Sequence, residues 1–355
     1  MGPDGPHLLE RDALRLAVRT LTAADTARWD AFVAACPEAT FFHRAGWKTV
    51  IERAFGHRTH YLFAERDGTI VGVLPLTEIK SRLFGHALIS NAFCVYGGIA
   101  ATDEDARQAL DTHARALARQ LCVGHLEYRN LRPFHRDWPT QDLYYTFRKE
   151  IAPDVETNLK AIPRKQRAMV RKGMKHGLKA EFDGDVERFY ALFADNVHRH
   201  GTPALPRRYF ALLKEVFGAD CDVLIVTHAG RPVSGVLTFW FRDEVLPYYA
   251  GDVPVARELA ANDFKYWALM RHACERGYRV FDYGRSKRGT GQFDFKKNWG
   301  FEPQPLHYEY DLVRLPAIPQ HNPANPKYRL FIALWKRLPL PVANALGPAI
   351  VKNLG

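Results

Sequence analysis

The sequence predicts an α/β protein built from two similar halves and a short basic tail. Its 355 residues are too many for one ordinary core, because single domains cluster near ~100–150 residues. Strand-length apolar runs alternate with helical spacing throughout, and one order occurs twice: strand, two helices, hairpin, strand, helix, strand and closing strand. A content of 47% apolar and 25% charged residues excludes disorder, collagen-like repeats and a coiled coil. The expected divisions are 13–152, 153–315 and a tail over 316–355.

In the first half, Leu14 to Leu21 reads as a strand and Asp25 to Ala35 as a helix, with Thr22 or Asp25 as its N-cap. Trp47 to Phe55 is helical up to Gly56. Thr59 to Glu65 and Ile70 to Ile79 flank Arg66-Asp67-Gly68, where Asp-Gly signals a hairpin turn. Ala87 to Ile99 reads as a strand region broken at Gly97-Gly98. From Asp103 to Val123, Ala106, Leu110, Ala114, Leu117 and Leu121 share one helical face. His125 to Asn130 and Tyr144 to Glu150 follow as strands.

The second half repeats the order. Lys179 to Phe182 is a strand, and Val186 to His200 and Pro206 to Phe217 are helices, the latter with proline where a helix tolerates it. Strands are expected at Cys221 to His228 and Val233 to Phe241, around a Gly230-Arg231-Pro232 turn, and at Glu244 to Gly251. Asn262 to Arg276 is a helix, Arg279 to Tyr283 a short strand, Gly291 to Trp299 a helix, and Gln304 to Val313 the closing strand.

Charge is concentrated. Of a net +11, eight Lys/Arg without an acid lie between Thr157 and Ala180, and six more without an acid lie from Leu312 onward. The remainder is slightly acidic, so the basicity marks two patches and DNA is not expected as a partner. The five cysteines are scattered with no Cys-x-x-Cys pair, which speaks against a disulfide scaffold or a thiolate zinc site and fits a reducing cytosol. No apolar run nears the ~20 residues needed to span a bilayer. Met1 to Arg15 carries three acids where a signal peptide needs an apolar stretch. A cytoplasmic chain is the expectation.

Two stretches carry a family resemblance. The basic segment from Leu159 to Gly177 resembles the helix joining the domains of FemAB proteins. Phe281 to Phe301, with Phe295-Lys296 and Trp299-Gly300, resembles that family's late segment. The tail from Asn322 to Gly355 is similar to that of FemAB-related proteins associated with exosortase/PEP-CTERM systems. This resemblance implies two tandem GNAT-like (acyl-CoA N-acyltransferase) domains with a basic, proline-rich tail. It also implies acyl or aminoacyl transfer to an amine of a peptidoglycan or exopolysaccharide precursor. The donor would be aminoacyl-tRNA or acyl-CoA, with no permanently bound cofactor and no metal. The partner would be a nucleotide- or lipid-linked sugar precursor.

Residues are assigned accordingly. Arg164, Arg167, Arg171 and Lys175 recur three, four and four apart and form one stripe. Such a stripe suits a polyanion and equally fits a solvated helix face; the resemblance places Arg167 and Arg171 near substrate phosphates. Arg288-Gly289-Thr290-Gly291 superficially looks like a pyrophosphate loop, but follows the Phe281–Tyr283 strand, later than the coenzyme A loop of the superfamily. A glycine-permitted active-site loop is the other reading. With no serine in a nucleophile motif, direct attack by the amine is expected. The resemblance carries oxyanion stabilisation to Lys296, for which a surface lysine on a short helix is the other reading. Asp294, the second expected catalytic residue, is expected with Asp282 and Arg285 to position amine or phosphate, and Asp282 equally suits backbone groups at a strand end. Phe295, Tyr248, Trp47 and Lys48 complete the expected substrate set; core packing is the competing reading for Trp47 and Tyr248. The tail's aromatics beside Lys327, Arg329, Lys336 and Arg337 suit either an anionic membrane or docking on the chain's own domain.

Overall fold

The computed structural model describes residues 16–81, 84–319 and 326–353, and side chains in all of these except 326–330. The expected strand start at Leu14 and residues 322–325 of the tail motif lie outside them. The first half runs β1 (Leu16–Thr20), α1 (Thr26–Ala35), α2 (Gly46–Phe55), β2 (Arg58–Arg66), β3 (Thr69–Ser81), β4 (Gly85–Ser90), β5 (Ala100–Ala101), α3 (Glu104–Gln120), β6 (His125–Asn130), β7 (Thr140–Gln141), β8 (Tyr144–Thr146) and β9 (Arg148–Glu150). After α4 (Val155–Ala161) and α5 (Arg164–Lys175), the second half runs β10 (Lys179–Asp183), α6 (Glu187–His200), α7 (Arg207–Phe217), β11 (Cys221–His228), β12 (Arg231–Phe241), β13 (Glu244–Asp252), α8 (Ala261–Glu275), β14 (Val280–Asp282), β15 (Ser286–Lys287), α9 (Gly291–Asn298), β16 (Gln304–Pro305) and β17 (His307–Asp311). The tail forms α10 (Pro326–Trp335) and α11 (Leu340–Val351).

Local chemistry accounts for these boundaries. Asp67 and Gly68 both take left-handed backbone (φ 50° and 77°), as the tight β2–β3 turn requires. The β11–β12 turn sits at Ala229-Gly230, one residue earlier than expected, and Arg231 already belongs to β12. Asp103 caps α3 by accepting a hydrogen bond from the Ala106 amide. The expected strand through Ile99 stops at Ser90. Asn91 and Phe93 have left-handed backbone, and the Asn91 amide side chain is bound by Tyr61 Oη and the Phe42 carbonyl. Residues 91–99 therefore cross the molecule as a strap.

Both sheets share one plan. An antiparallel run β1-β2-β3-β4 meets β6 in parallel, and β10-β11-β12-β13 meets β14 in parallel. The halves also exchange strands. β17, expected to close the second half, pairs with β6 in the first sheet, His307 opposite Asn130 through Asp311 opposite Leu126. β9 pairs with β14 in the second sheet. Hydrophobic alternation identifies a strand but not its partner, so this exchange is invisible in the sequence. A shared aromatic core fastens the halves: Phe41 stacks on Phe239 with centroids 4.4 Å apart, and Trp47 lies 5.2 Å from Phe217.

The β17 crossover buries a charged cluster. Glu309 is fully buried and accepts from the Phe134 and His135 amides at 2.7 and 3.0 Å. The His135 ring lies between Glu309 and Asp111, 3.2 Å from each, and stacks on Trp138. Burial alone would lower this imidazole, but the two carboxylates prevail and hold it at about 9. Because the folded value exceeds the unfolded one, the stabilisation is complete below ~6.5 and disappears as pH rises through about 9. Thermal melts from pH 6 to 9.5 should show the native chain losing up to ~3 kcal/mol more than His135→Gln. Parallel pH curves would refute the charged sandwich.

Candidate active site

The second sheet opens into a wedge. β13 and β14 pair at Glu244–Val280 and Val245–Phe281 only, although β13 continues to Asp252. The parallel β4–β6 pairing likewise ends at Ile89–Glu127, where the strap departs. That strap reaches the second half through Tyr248 Oη, which donates to the Phe93 carbonyl at 3.3 Å, and Tyr308 Oη, which donates to the Val95 carbonyl at 2.8 Å. A cleft between the halves thus has tyrosines on its walls.

Arg285 stands in this cleft, just beyond β14. Its guanidinium donates to Tyr308 Oη at 3.0 Å and lies 4.4 Å from the centre of the Tyr144 ring, a cation–π contact. No carboxylate pairs with it among the described residues. The neighbouring acids are engaged elsewhere: Glu127 by Arg129 at 2.7 Å and Asp282 by Arg148 at 2.9 Å. Asp282 is fully buried, accepts from Tyr96 Oη and from the Gly284 amide, and so fixes the end of β14. A guanidinium with spare donors in a partly dry cleft can bind an anion or a carbonyl oxygen acquiring charge.

Lys296 supports Arg285 from below. Its buried Nζ donates to the carbonyls of Tyr283, Gly284 and Arg285 at 2.7, 3.1 and 3.1 Å. Burial pushes its ammonium down to about 7, Asp282 opposing and Arg285 adding to the shift. An ammonium has three donors, and all are used on backbone. In this arrangement Lys296 holds the 283–285 turn, and its donors are turned to backbone rather than to the space beside Arg285.

The other expected residues separate into groups. Tyr248 is in the cleft. Asp294, expected to be catalytic, is exposed on the face of α9 away from Lys296, since two residues span more than half a helical turn. Phe295 packs among Tyr266, Tyr283 and Trp299 as part of the second core. Trp47 is fully buried between the halves, which removes it from substrate contact, and Lys48 is held by Glu52 and Thr59. Arg288 and Gly289 lie in an exposed turn, and Gly291 begins α9 beneath the Thr290 cap. Arg164 and Arg171 are exposed on α5, while Arg167 donates to the Lys160 carbonyl. Pro163, just before α5, approaches Gly300, so the stripe begins beside the end of α9. Sequence reasoning missed Tyr96, Tyr144, Arg148 and Tyr308; their only signal was aromatic or basic character inside expected strands. Among the described residues, no group of three His, Cys, Asp or Glu side chains could hold a metal ion.

With this geometry established, comparison with known proteins is informative. The family described as acetyltransferase (GNAT) domain matches residues 164–297. The structure of FemX superposes with a TM-score of 0.67 at 15% identity, covering 89% of this chain and 100% of that one. The C-terminal domain of a putative lysylphosphatidylglycerol synthetase from Agrobacterium fabrum gives 0.56 at 15% identity, covering 81% and 92%. A tandem GNAT protein from the clavulanic acid biosynthesis pathway gives 0.52 at 14%, covering 86% and 100%. No curated protein sequence matches the chain. The chain thus has a tandem GNAT fold, and its second half carries a GNAT domain of the acyltransferase class.

Proposed function

We propose that this protein transfers an aminoacyl or acyl group to an amine of a cell-envelope precursor in the cleft between its halves. The observation that carries the reading is Arg285, held over tyrosines without an acid partner at the mouth of the β13–β14 wedge. A neutral amine attacks the donor carbonyl, forming the C–N bond and a tetrahedral oxyanion. Arg285 stabilises that oxyanion; on collapse the C–O or C–S bond to the carrier breaks, and the proton lost from the attacking nitrogen ends on the leaving oxygen or sulfur. The FemAB-like segments from Leu159 to Gly177 and from Phe281 to Phe301 support aminoacyl transfer, and the basic α5 suits a nucleotide- or lipid-linked acceptor or the backbone of an aminoacyl-tRNA. An acyl-CoA donor is the second reading, supported by the match of residues 164–297 to the acetyltransferase (GNAT) domain family. Both donors are cytoplasmic, so the reaction belongs in the cytoplasm. The tail motif's resemblance makes an exopolysaccharide precursor of a PEP-CTERM system one candidate acceptor.

Mass spectrometry of co-purifying small molecules, followed by transfer assays with labelled aminoacyl-tRNA and acyl-CoA, tests the reading. Amide product from one donor supports it. Failure with both donors on every co-purifying amine would favour a non-catalytic assembly factor. For the stripe, Arg171→Ala should weaken binding of a phosphate-bearing acceptor ~10-fold, because a charge-assisted hydrogen bond is worth ~1.5–3 kcal/mol. The thermal melt should not move, since Arg171 is exposed. Calorimetry showing unchanged affinity would reduce the stripe to a solvated face.

A further inference from the structure

The two tail helices each dock by one side and leave apolar side chains exposed on the other, Phe331 with its ring stacked on that of Trp335. Inward, Trp335 is buried and its carbonyl meets His198. Ile332 sits so close to Gly201 that a Cβ there would lie 2.5 Å from Ile332 Cγ2. On α11, Ala343 is buried, and a Cβ on Gly347 would lie 3.2 Å from the Ala204 backbone. Outward, Phe331 and Leu334 on α10 are 37% and 55% exposed, and Val342 and Leu346 on α11 are 43% and 50% exposed. Each pair is three or four residues apart and so shares a helix face. These are half of the eight large apolar side chains exposed among the described residues. Clustering of that kind marks an interaction surface.

Charge selects the partner. From Leu312 to the end the sequence has six Lys/Arg and no acid; Lys336, Arg337 and Lys352 are exposed, Lys336 with its stem against Gly201 on the docked side. A second copy on this face would bring like charges together, whereas an anionic bilayer satisfies apolar and basic groups at once. No helix among the described residues is long and apolar enough to cross a membrane, so the contact is peripheral.

We propose that the exposed apolar side chains of α10 and α11, Phe331, Leu334, Val342 and Leu346, together with the exposed basic heads of the tail, dock the protein on an anionic lipid surface. The hairpin and the cleft are then neighbours: His57 contacts the Lys352 carbonyl at 2.6 Å and stacks on Phe93, whose own carbonyl takes the Tyr248 hydroxyl. This docking stands without the transferase reading, since vesicle binding needs no turnover.

The test is co-sedimentation of the full chain with vesicles of equal parts phosphatidylglycerol and phosphatidylcholine, against phosphatidylcholine alone. Binding should require the anionic lipid and weaken with salt. Leu334→Glu with Leu346→Glu should reduce it at least ~10-fold, and so should Lys336→Glu with Arg337→Glu. If the apolar pair fails to fold, Phe331→Ser with Val342→Ser tests the same face. Unchanged binding in folded variants, equal binding to neutral vesicles, or no binding at all would overturn the proposal. A native dimer that these variants dissolve would also overturn it, by assigning the face to a second copy.

Discussion

Arg285→Met should lower turnover by ~10²–10³, the usual effect of removing one oxyanion donor, while the thermal melt stays nearly unchanged. Stability is spared because Arg285 pairs with no carboxylate, and its partner Tyr308 Oη remains satisfied through the Val95 carbonyl. Turnover is not spared, because the neighbouring Arg129 guanidinium is already committed to Glu127, as Arg148 is to Asp282. The loss should fall on kcat more than KM, since the oxyanion exists only in the transition state. Arg285→Lys should recover only part of it, because an ammonium cannot reproduce the planar fork that also stacks on Tyr144. Steady-state kinetics on the identified substrate decide the matter. Full turnover in Arg285→Met would remove the residue from the chemistry.

Why Arg285 could be named from the sequence but not explained is instructive. Local signals were strong where short-range chemistry sets structure: the Asp67-Gly68 turn, the Asp103 cap and the basic spacing of α5 are each complete within a few residues. The site depends on distant pairings. Tyr308 reaches Arg285 because β17 returns to the first sheet, and Arg148 reaches Asp282 because β9 joins the second. Neither exchange leaves a trace in periodicity. The strap misled for a different reason: residues 91–99 are apolar enough for a strand, yet Asn91 spends its side chain on Tyr61 and Phe42 and turns the backbone aside. Trp47 is ambiguous in the sequence because an aromatic suited to ligand contact is equally suited to a core, and only its complete burial decides between these.

Lys296→Met should produce the second large loss, and by a different route. Substitution by methionine nearly preserves side-chain length but removes the three donors that hold the carbonyls of Tyr283, Gly284 and Arg285. An orphaned buried polar group costs ~1–3 kcal/mol; against that, the burial that depresses the Lys296 ammonium is relieved. The two effects largely offset, so the melt should fall by a few degrees at most, while the turn loosens and Arg285 loses its aim. Turnover should drop toward that of Arg285→Met. Combining both substitutions should cost little beyond either alone, because residues acting as one unit are not additive. Hydrogen exchange should quicken at the Gly284–Lys287 amides in Lys296→Met and remain slow in Arg285→Met, which separates positioning from direct contact. Multiplicative losses in the double variant would mean that Lys296 acts on the substrate itself, as its resemblance to the FemAB segment implies.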